Sequence, residues 1–228
     1  MARYDKALQA VRARLAHAAR ACGRDPEKVT LLAVSKTFPS AAVRAVHGLG
    51  QSEFGENYVQ EASAKRSELA DLPDLKWVLV GPLQSNKTAL AADVFERIES
   101  IDRLKIAQRL ADARDARRAP LEVLVQVNIS GEATKSGVAP GDAVTLAESV
   151  AKLPRLAFRG FMGIAQPIED RDRQRAQFAI LRECAERARS LGLPAHVLSM
   201  GMTGDLEAAV AEGSTEVRVG TAIFGERG

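Results

Sequence analysis

The sequence predicts an α/β protein: a single (β/α)8 barrel of the TIM type with one extra helix at its N-terminus. Three observations predict it. Short apolar runs suited to buried strands alternate with helix-like runs, giving eight strands and seven intervening helices at a spacing even enough to favour a closed parallel sheet. No Gly/Ser linker, low-complexity block or fixed-period repeat interrupts them, so residues 1–228 read as one domain. The glycine-rich and polar segments follow the strands, which collects them on the carboxyl-end face, where sites on this fold lie.

A leading helix is expected within residues 2–24. Tyr4, Leu8, Val11, Leu15, Ala18 and Cys22 recur at alternating steps of four and three, the apolar stripe of a helix that docks on a core, and Gly23 supplies a stop. The same stretch is rich in arginine and alanine, as transit peptides are, but the stripe points to a structural helix in a cytoplasmic protein. Strands are then expected at Leu31–Ser35, Glu53–Gly55, Trp77–Val80, Arg97–Ile101, Glu122–Asn128, Ala157–Phe161, Ala195–Leu198 and Glu216–Val219. Helices are expected to start near Pro39, Tyr58, Asn86, Arg103, Pro140, Arg171 and Asp205. Ser40 and the Thr203-Gly204-Asp205 segment offer oxygen-bearing caps. The charged stretch Glu169–Arg175 reads as the solvated start of a helix whose apolar face carries Phe178, Leu181 and Cys184.

Composition narrows the function. Apolar residues at 46% and charged residues at 27% describe an ordinary globular protein, and 4% aromatics leaves alanine, leucine and valine to fill most of the core. A net charge of +3, with acids and bases interspersed and no basic run among aromatics, argues against a nucleic-acid partner. The two cysteines, Cys22 and Cys184, lack metal-ligand spacing and read as free thiols in a reducing compartment. His17, His47 and His196 form no cluster, so no metal is expected. No apolar stretch approaches the roughly 20 residues that cross a bilayer. No long exposed apolar face stands out, and a monomer is expected.

The chemistry-bearing residues fall at strand ends. Leu31-Leu32-Ala33-Val34-Ser35 runs straight into Lys36, which then points into the barrel mouth. Among apolar neighbours a lysine loses its proton more easily and becomes a candidate imine-forming amine; a lysine that snorkels at a strand end is the competing reading. Ser199-Met200-Gly201 and Gly220-Thr221 follow strands seven and eight with small residues, hydroxyls and backbone N–H groups suited to a phosphate. There is no GxxxxGK[ST] sequence, so this is not a nucleotide P-loop. Arg218 shares the parity of Glu216 and Gly220 and aims into the mouth, where it needs an acceptor: a strand-end acid such as Glu56, or a ligand atom.

These residues together resemble the pyridoxal 5′-phosphate (PLP)-binding proteins of the YggS/PROSC type, related to the barrel domain of alanine racemase. The resemblance runs through Leu32-Ala33-Val34-Ser35-Lys36-Thr37, Phe54-Gly55-Glu56-Asn57-Tyr58-Val59-Gln60-Glu61, Gly81-Pro82-Leu83-Gln84-Ser85-Asn86-Lys87, Leu198-Ser199-Met200-Gly201-Met202 and the segment from Gly213 to Gly225. It implies that Lys36 holds the cofactor as a Schiff base (the internal aldimine) and that Asn57 lines the pocket near the ring. It further implies that Ser199, Gly201, Gly220 and Thr221 bind the phosphate, and that Arg218 faces the pyridine nitrogen. A guanidinium only donates, so it would keep that nitrogen unprotonated and weaken the cofactor as an electron sink. Lys87 and Lys135 match family lysines in the mouth loops. The sequence departs from the family pattern at Val78, where histidine is frequent, at Phe38, where lysine is common, and at Thr203, where serine is common. Gly163-Ile164 is also variable.

The function the resemblance implies is PLP homeostasis: keeping free PLP low and supplying it, with PLP-dependent apo-enzymes as partners and little or no catalysis. An amino-acid racemase is the alternative. Alanine racemase adds a tyrosine from a separate C-terminal β domain, whereas this sequence ends at Gly228, just after strand eight, with only Tyr4 and Tyr58. A Schiff-base sugar-phosphate aldolase ranks third, since it needs a proton shuttle beside the lysine and only Glu56 offers one.

Overall fold

The computed structural model describes residues 2–132 and 135–226. Eight strands close a parallel barrel in chain order: β1 (Thr30–Val34), β2 (Glu53–Glu56), β3 (Lys76–Leu79), β4 (Arg97–Ile101), β5 (Leu121–Val127), β6 (Leu156–Gly163), β7 (Val197–Ser199) and β8 (Glu216–Val219). β8 returns to β1 through the register Thr30 with Glu216 to Ala33 with Val219. Every strand bound lies within two residues of its expected place.

The helices are α1 (Ala2–Ala21), α2 (Ser40–His47), α3 (Val59–Glu68), α4 (Thr88–Val94), α5 (Leu104–Ala113), α6 (Ala143–Ala151), α7 (Arg171–Ser190), α8 (Leu206–Ala211) and α9 (Thr221–Phe224). Leu8, Val11, Leu15 and Ala18 bury the stripe of α1, while Cys22 lies past its end and is exposed. Gly23, at φ 67°, closes the helix: its N–H reaches Arg20 O at 2.9 Å and the Arg24 N–H reaches Ala19 O at 2.9 Å. The outward-facing shell packs Phe54, Trp77, Phe95, Ile98, Ile106 and Phe178 between strands and helices. Alanines fill much of the remaining contact, as the low aromatic content requires.

Two expectations need correction. The sequence suggested nothing after strand eight, yet α9 follows it; a single turn is too short to register as a periodicity. α1 packs against α8, α9 and α2, so it covers the stretch of barrel wall that the one-turn α9 leaves open. Phe224 of α9 meets Tyr4 edge-on at 6.1 Å and stacks on Phe38 at 5.1 Å. The expected caps also differ. Pro39 takes the cap position of α2 and Ser40 is already helical, while Asp205 turns its carboxylate back to the Met202 N–H at 2.6 Å. α7 does carry a side-chain cap, from Asp170 to the N–H groups of Asp172 and Arg173.

Candidate functional site

A cavity of about 520 Å³ opens at the carboxyl ends of the strands. That volume suits a small organic ligand, for which roughly 300–1,000 Å³ is usual. Its floor and walls come from Val34, Val80 and Gln126, and its rim from Phe38, Pro82, Ile164 and Met202. Three cations line it, Lys36, Lys135 and Arg218, and no described lining residue is a carboxylate, histidine or tyrosine.

Lys36 stands two residues beyond β1. The ladder runs one residue further than the strand, because the Ser35 N–H still bonds Gly55 O at 2.9 Å. Thr37 then reverses the chain at φ 69°, a conformation that few residues other than glycine adopt, and the Phe38 N–H closes the turn on Ser35 O at 3.1 Å. Asn57 is the first residue beyond β2 and also lines the cavity. Its backbone is pressed against Gly81: a Cβ on Gly81 would lie 2.3 Å from Asn57 O, so only glycine allows the two loops to meet.

Arg218 is 5% exposed and anchored twice. Its Nη1 donates to Ser199 Oγ at 2.8 Å and its Nη2 to Gly163 O at 2.9 Å. Burial pulls the guanidinium below its ordinary value, while Glu99, Glu216 and Asp205 act in the opposite sense. No described carboxylate forms an ion pair with it. Glu56, the acid suggested by the sequence, instead accepts from Ser35 Oγ and Lys65 Nζ, each at 2.6 Å.

Of the residues expected at the site, Lys36, Asn57, Lys135, Arg218, Gly220 and Thr221 converge on the cavity. Ser199, Gly201 and Lys87 are not among its lining residues. The Ser199 hydroxyl is held inside the barrel, donating to Glu99 Oε2 at 2.6 Å and accepting from Arg218. Gly201 lies beneath the loop at φ 98°, where a Cβ would meet Ala209 Cβ at 2.5 Å. The loop that does reach the cavity is Thr203-Gly204, one step further along. Arg14 of α1 ties this loop down, donating to Thr203 O at 2.7 Å and bidentately to Glu207 at 2.6 and 2.7 Å. Phe38 and Thr203, two of the departures from the family pattern, are at the site. Val78 is not: it lines a hollow of about 320 Å³ at the opposite end of the barrel.

The sequence reading missed the ionic column below Arg218. Arg97 of β4 donates from Nε to Glu99 Oε1 at 2.9 Å, pairs with Glu216 through Nη2, and reaches Glu53 Oε2 at 3.4 Å. Burial raises the Glu216 carboxyl well above the carboxylate range, and the neighbouring Glu99 charge adds to it. Burial also opposes ionisation of Glu99, but Arg97, a hydrogen bond with Glu216, Arg218 and the Ser199 hydroxyl together outweigh it and hold Glu99 below its ordinary value. The signal was available: Arg97 and Glu99 alternate on one strand face, as Glu216 and Arg218 do on another. Among the described residues no group of three or more histidine, cysteine, aspartate or glutamate side chains could hold a metal, and no helix is long and apolar enough to cross a membrane.

A family model described as the alanine racemase N-terminal domain matches residues 7–228. The chain is 56% identical over 217 residues to a pyridoxal phosphate homeostasis protein of Pseudomonas aeruginosa, covering 95% of this chain and 93% of the relative. It is 48% identical over 225 residues to the Escherichia coli protein of the same name, covering 96% and 95%. Among solved structures, PipY of Synechococcus elongatus with PLP bound superposes with a TM-score of 0.85 at 37% identity, covering 97% of this chain and 100% of PipY.

Proposed function

The chain belongs to the alanine racemase N-terminal domain family, alongside the pyridoxal phosphate homeostasis proteins, and we propose that it binds PLP in the cavity above Arg218 and acts in PLP homeostasis. One observation carries this reading: three cations converge on a cavity whose walls are otherwise apolar or uncharged, with a lysine amine at one edge and small-residue loops at another. A flat ring bearing a dianionic phosphate and an aldehyde matches that arrangement part for part.

PLP supplies an aldehyde carbon that condenses with a primary amine, releasing one water. Lys36 is the amine assigned to it. Thr203-Gly204, in place of the expected Ser199 and Gly201, and the expected Gly220-Thr221 would hold the phosphate with hydroxyls and backbone N–H groups, since these are the loop residues that line the cavity. Gly201 keeps the first of these loops close-packed, and Ser199 acts through Arg218 rather than on the phosphate. Two of the five guanidinium N–H donors of Arg218 are fixed by Ser199 and Gly163, which sets its plane at the cavity floor. With PLP bound it would donate to the ring nitrogen and keep that nitrogen unprotonated. Asn57 lines the ring edge.

The role assigned is to hold and supply PLP to PLP-dependent apo-enzymes, as a monomer in the cytoplasm, with little or no turnover. Racemisation needs a second acid–base group opposite the lysine, and the described lining residues provide no tyrosine, histidine or carboxylate. Tyr58 is 59% exposed and Tyr4 packs on Phe224. The test is titration of the purified protein with PLP while the visible absorption is recorded. A saturable imine band is expected from wild type and none from Lys36→Ala; a wild-type protein that stays colourless overturns the assignment.

A further inference from the structure

We infer that Glu61 is a positioning residue for the Lys36 amine, acting with Lys65 through the peptide units on either side of Lys36. The inference rests on the reading of Lys36 as the PLP-bearing lysine and adds what aims it. Lys36 lies inside a reversal whose next residue, Thr37, is left-handed at φ 69°. A non-glycine residue keeps that conformation only where its surroundings over-determine it.

α3 supplies the determination. Glu61 Oε1 accepts the Thr37 N–H at 2.5 Å, on the far side of Lys36. Lys65 Nζ donates to Ser35 O at 2.8 Å, on the near side. Glu61 and Lys65 are one turn apart on the same helix and pair at 2.8 Å, so the two contacts form one rigid bracket. Its base is Glu56 at the end of β2, whose Oε1 accepts from both Lys65 Nζ and Ser35 Oγ at 2.6 Å. An ammonium has three N–H donors, and those of Lys65 meet three acceptors: Ser35 O, Glu56 and Glu61. Lys65 is thereby a strut, 5% exposed, and absent from the lining of the cavity that Lys36 enters.

Anchoring the Glu56–Lys65 pair inside the fold requires nothing of Thr37. The bond from Glu61 to the Thr37 N–H fixes the peptide plane that follows Lys36, and with it the direction of the Lys36 side chain. A bracket of this kind matters for a reaction that needs the amine at one angle to an aldehyde. It matters little for a ligand that is merely seated in the cavity.

The experiment compares wild type, Glu61→Ala and Glu61→Gln with two ligands: PLP, and pyridoxine 5′-phosphate, which has an alcohol in place of the aldehyde. Alanine is a good helix former and the Glu61 side chain is 25% exposed, so the fold is retained. Glu61→Ala is expected to weaken PLP binding about tenfold, one charge-assisted hydrogen bond, and pyridoxine 5′-phosphate by less than about twofold. Glu61→Gln keeps an oxygen for the Thr37 N–H and should recover most of the loss. PLP binding unchanged in Glu61→Ala, or an equal loss for both ligands, overturns the inference. A wild-type protein that forms no imine band overturns the functional reading instead, before any variant is considered.

Discussion

The Arg218 guanidinium and the Ser199 hydroxyl meet across 2.8 Å inside the barrel, and the same hydroxyl donates to Glu99 at 2.6 Å. Ser199 is therefore the joint between the cavity floor and the buried ionic column. Ser199→Ala leaves one Glu99 oxygen and one Arg218 N–H without this partner in a site closed to bulk water. A stability loss of about 1–3 kcal/mol is expected. PLP affinity should also fall, because the plane of Arg218 is then fixed only by Gly163. Urea denaturation and PLP titration of the same preparation check both.

The two carboxyls flanking Arg97 should respond unequally to replacement by the amide. Glu99 lies between Arg97 and Arg218, and Glu99→Gln strands buried cations at an expected cost of about 3–5 kcal/mol. Glu216 has its folded value raised by burial and by Glu99. A glutamine at 216 keeps an oxygen that can accept from Arg97, so Glu216→Gln should cost less, about 1 kcal/mol. The sign with pH follows. A raised carboxyl contributes its full stability below the ordinary carboxylate range and loses it as pH climbs through the raised value. Glu99, held low, contributes above that range and loses its share as pH falls through the lowered value. Denaturation midpoints measured against pH should thus decline less on the alkaline side in Glu216→Gln than in wild type.

Gly201→Ala tests the loop geometry. The left-handed φ of 98° and the 2.5 Å approach to Ala209 make any side chain costly, at about 2–5 kcal/mol. The displaced loop carries Thr203-Gly204 away from the cavity, so phosphate competition against PLP should weaken along with stability. Thermal melts with and without inorganic phosphate measure the two together.

Arg14 links α1 to that same loop. Its bidentate pair with Glu207 is partly exposed, so Arg14→Ala should cost only about 1 kcal/mol of stability. Loss of the bond to Thr203 O is expected to speed PLP release more than it slows binding. Stopped-flow absorbance at the imine band reads both rates.

The barrel was legible because its strands are short apolar runs at even spacing and its loops carry glycine and polar residues at their carboxyl ends. Lys36, Gly220 and Thr221 were legible by position, just past strands one and eight, and Asn57 through the resemblance; all four line the cavity. The remainder depends on contacts between distant segments. No local pattern distinguishes a serine that faces a ligand from Ser199, whose hydroxyl is claimed by Glu99 100 residues away. Likewise, Lys65 carries no signal on a helix of low amphipathicity, yet it meets Glu56, Glu61 and Ser35 in three dimensions. The short α9 was missed because one turn has no period, although Phe38, Phe224 and Tyr4 are each plain apolar positions.

Lys36 is the centre of the functional reading, and borohydride reduction of the PLP-loaded protein followed by peptide mapping tests it most directly. Loss of the visible band with a single phosphopyridoxyl adduct on the peptide containing Lys36 is the expected result. An adduct confined to Lys65, Lys87 or Lys135 in wild type, or no adduct from a protein saturated with PLP, would contradict it.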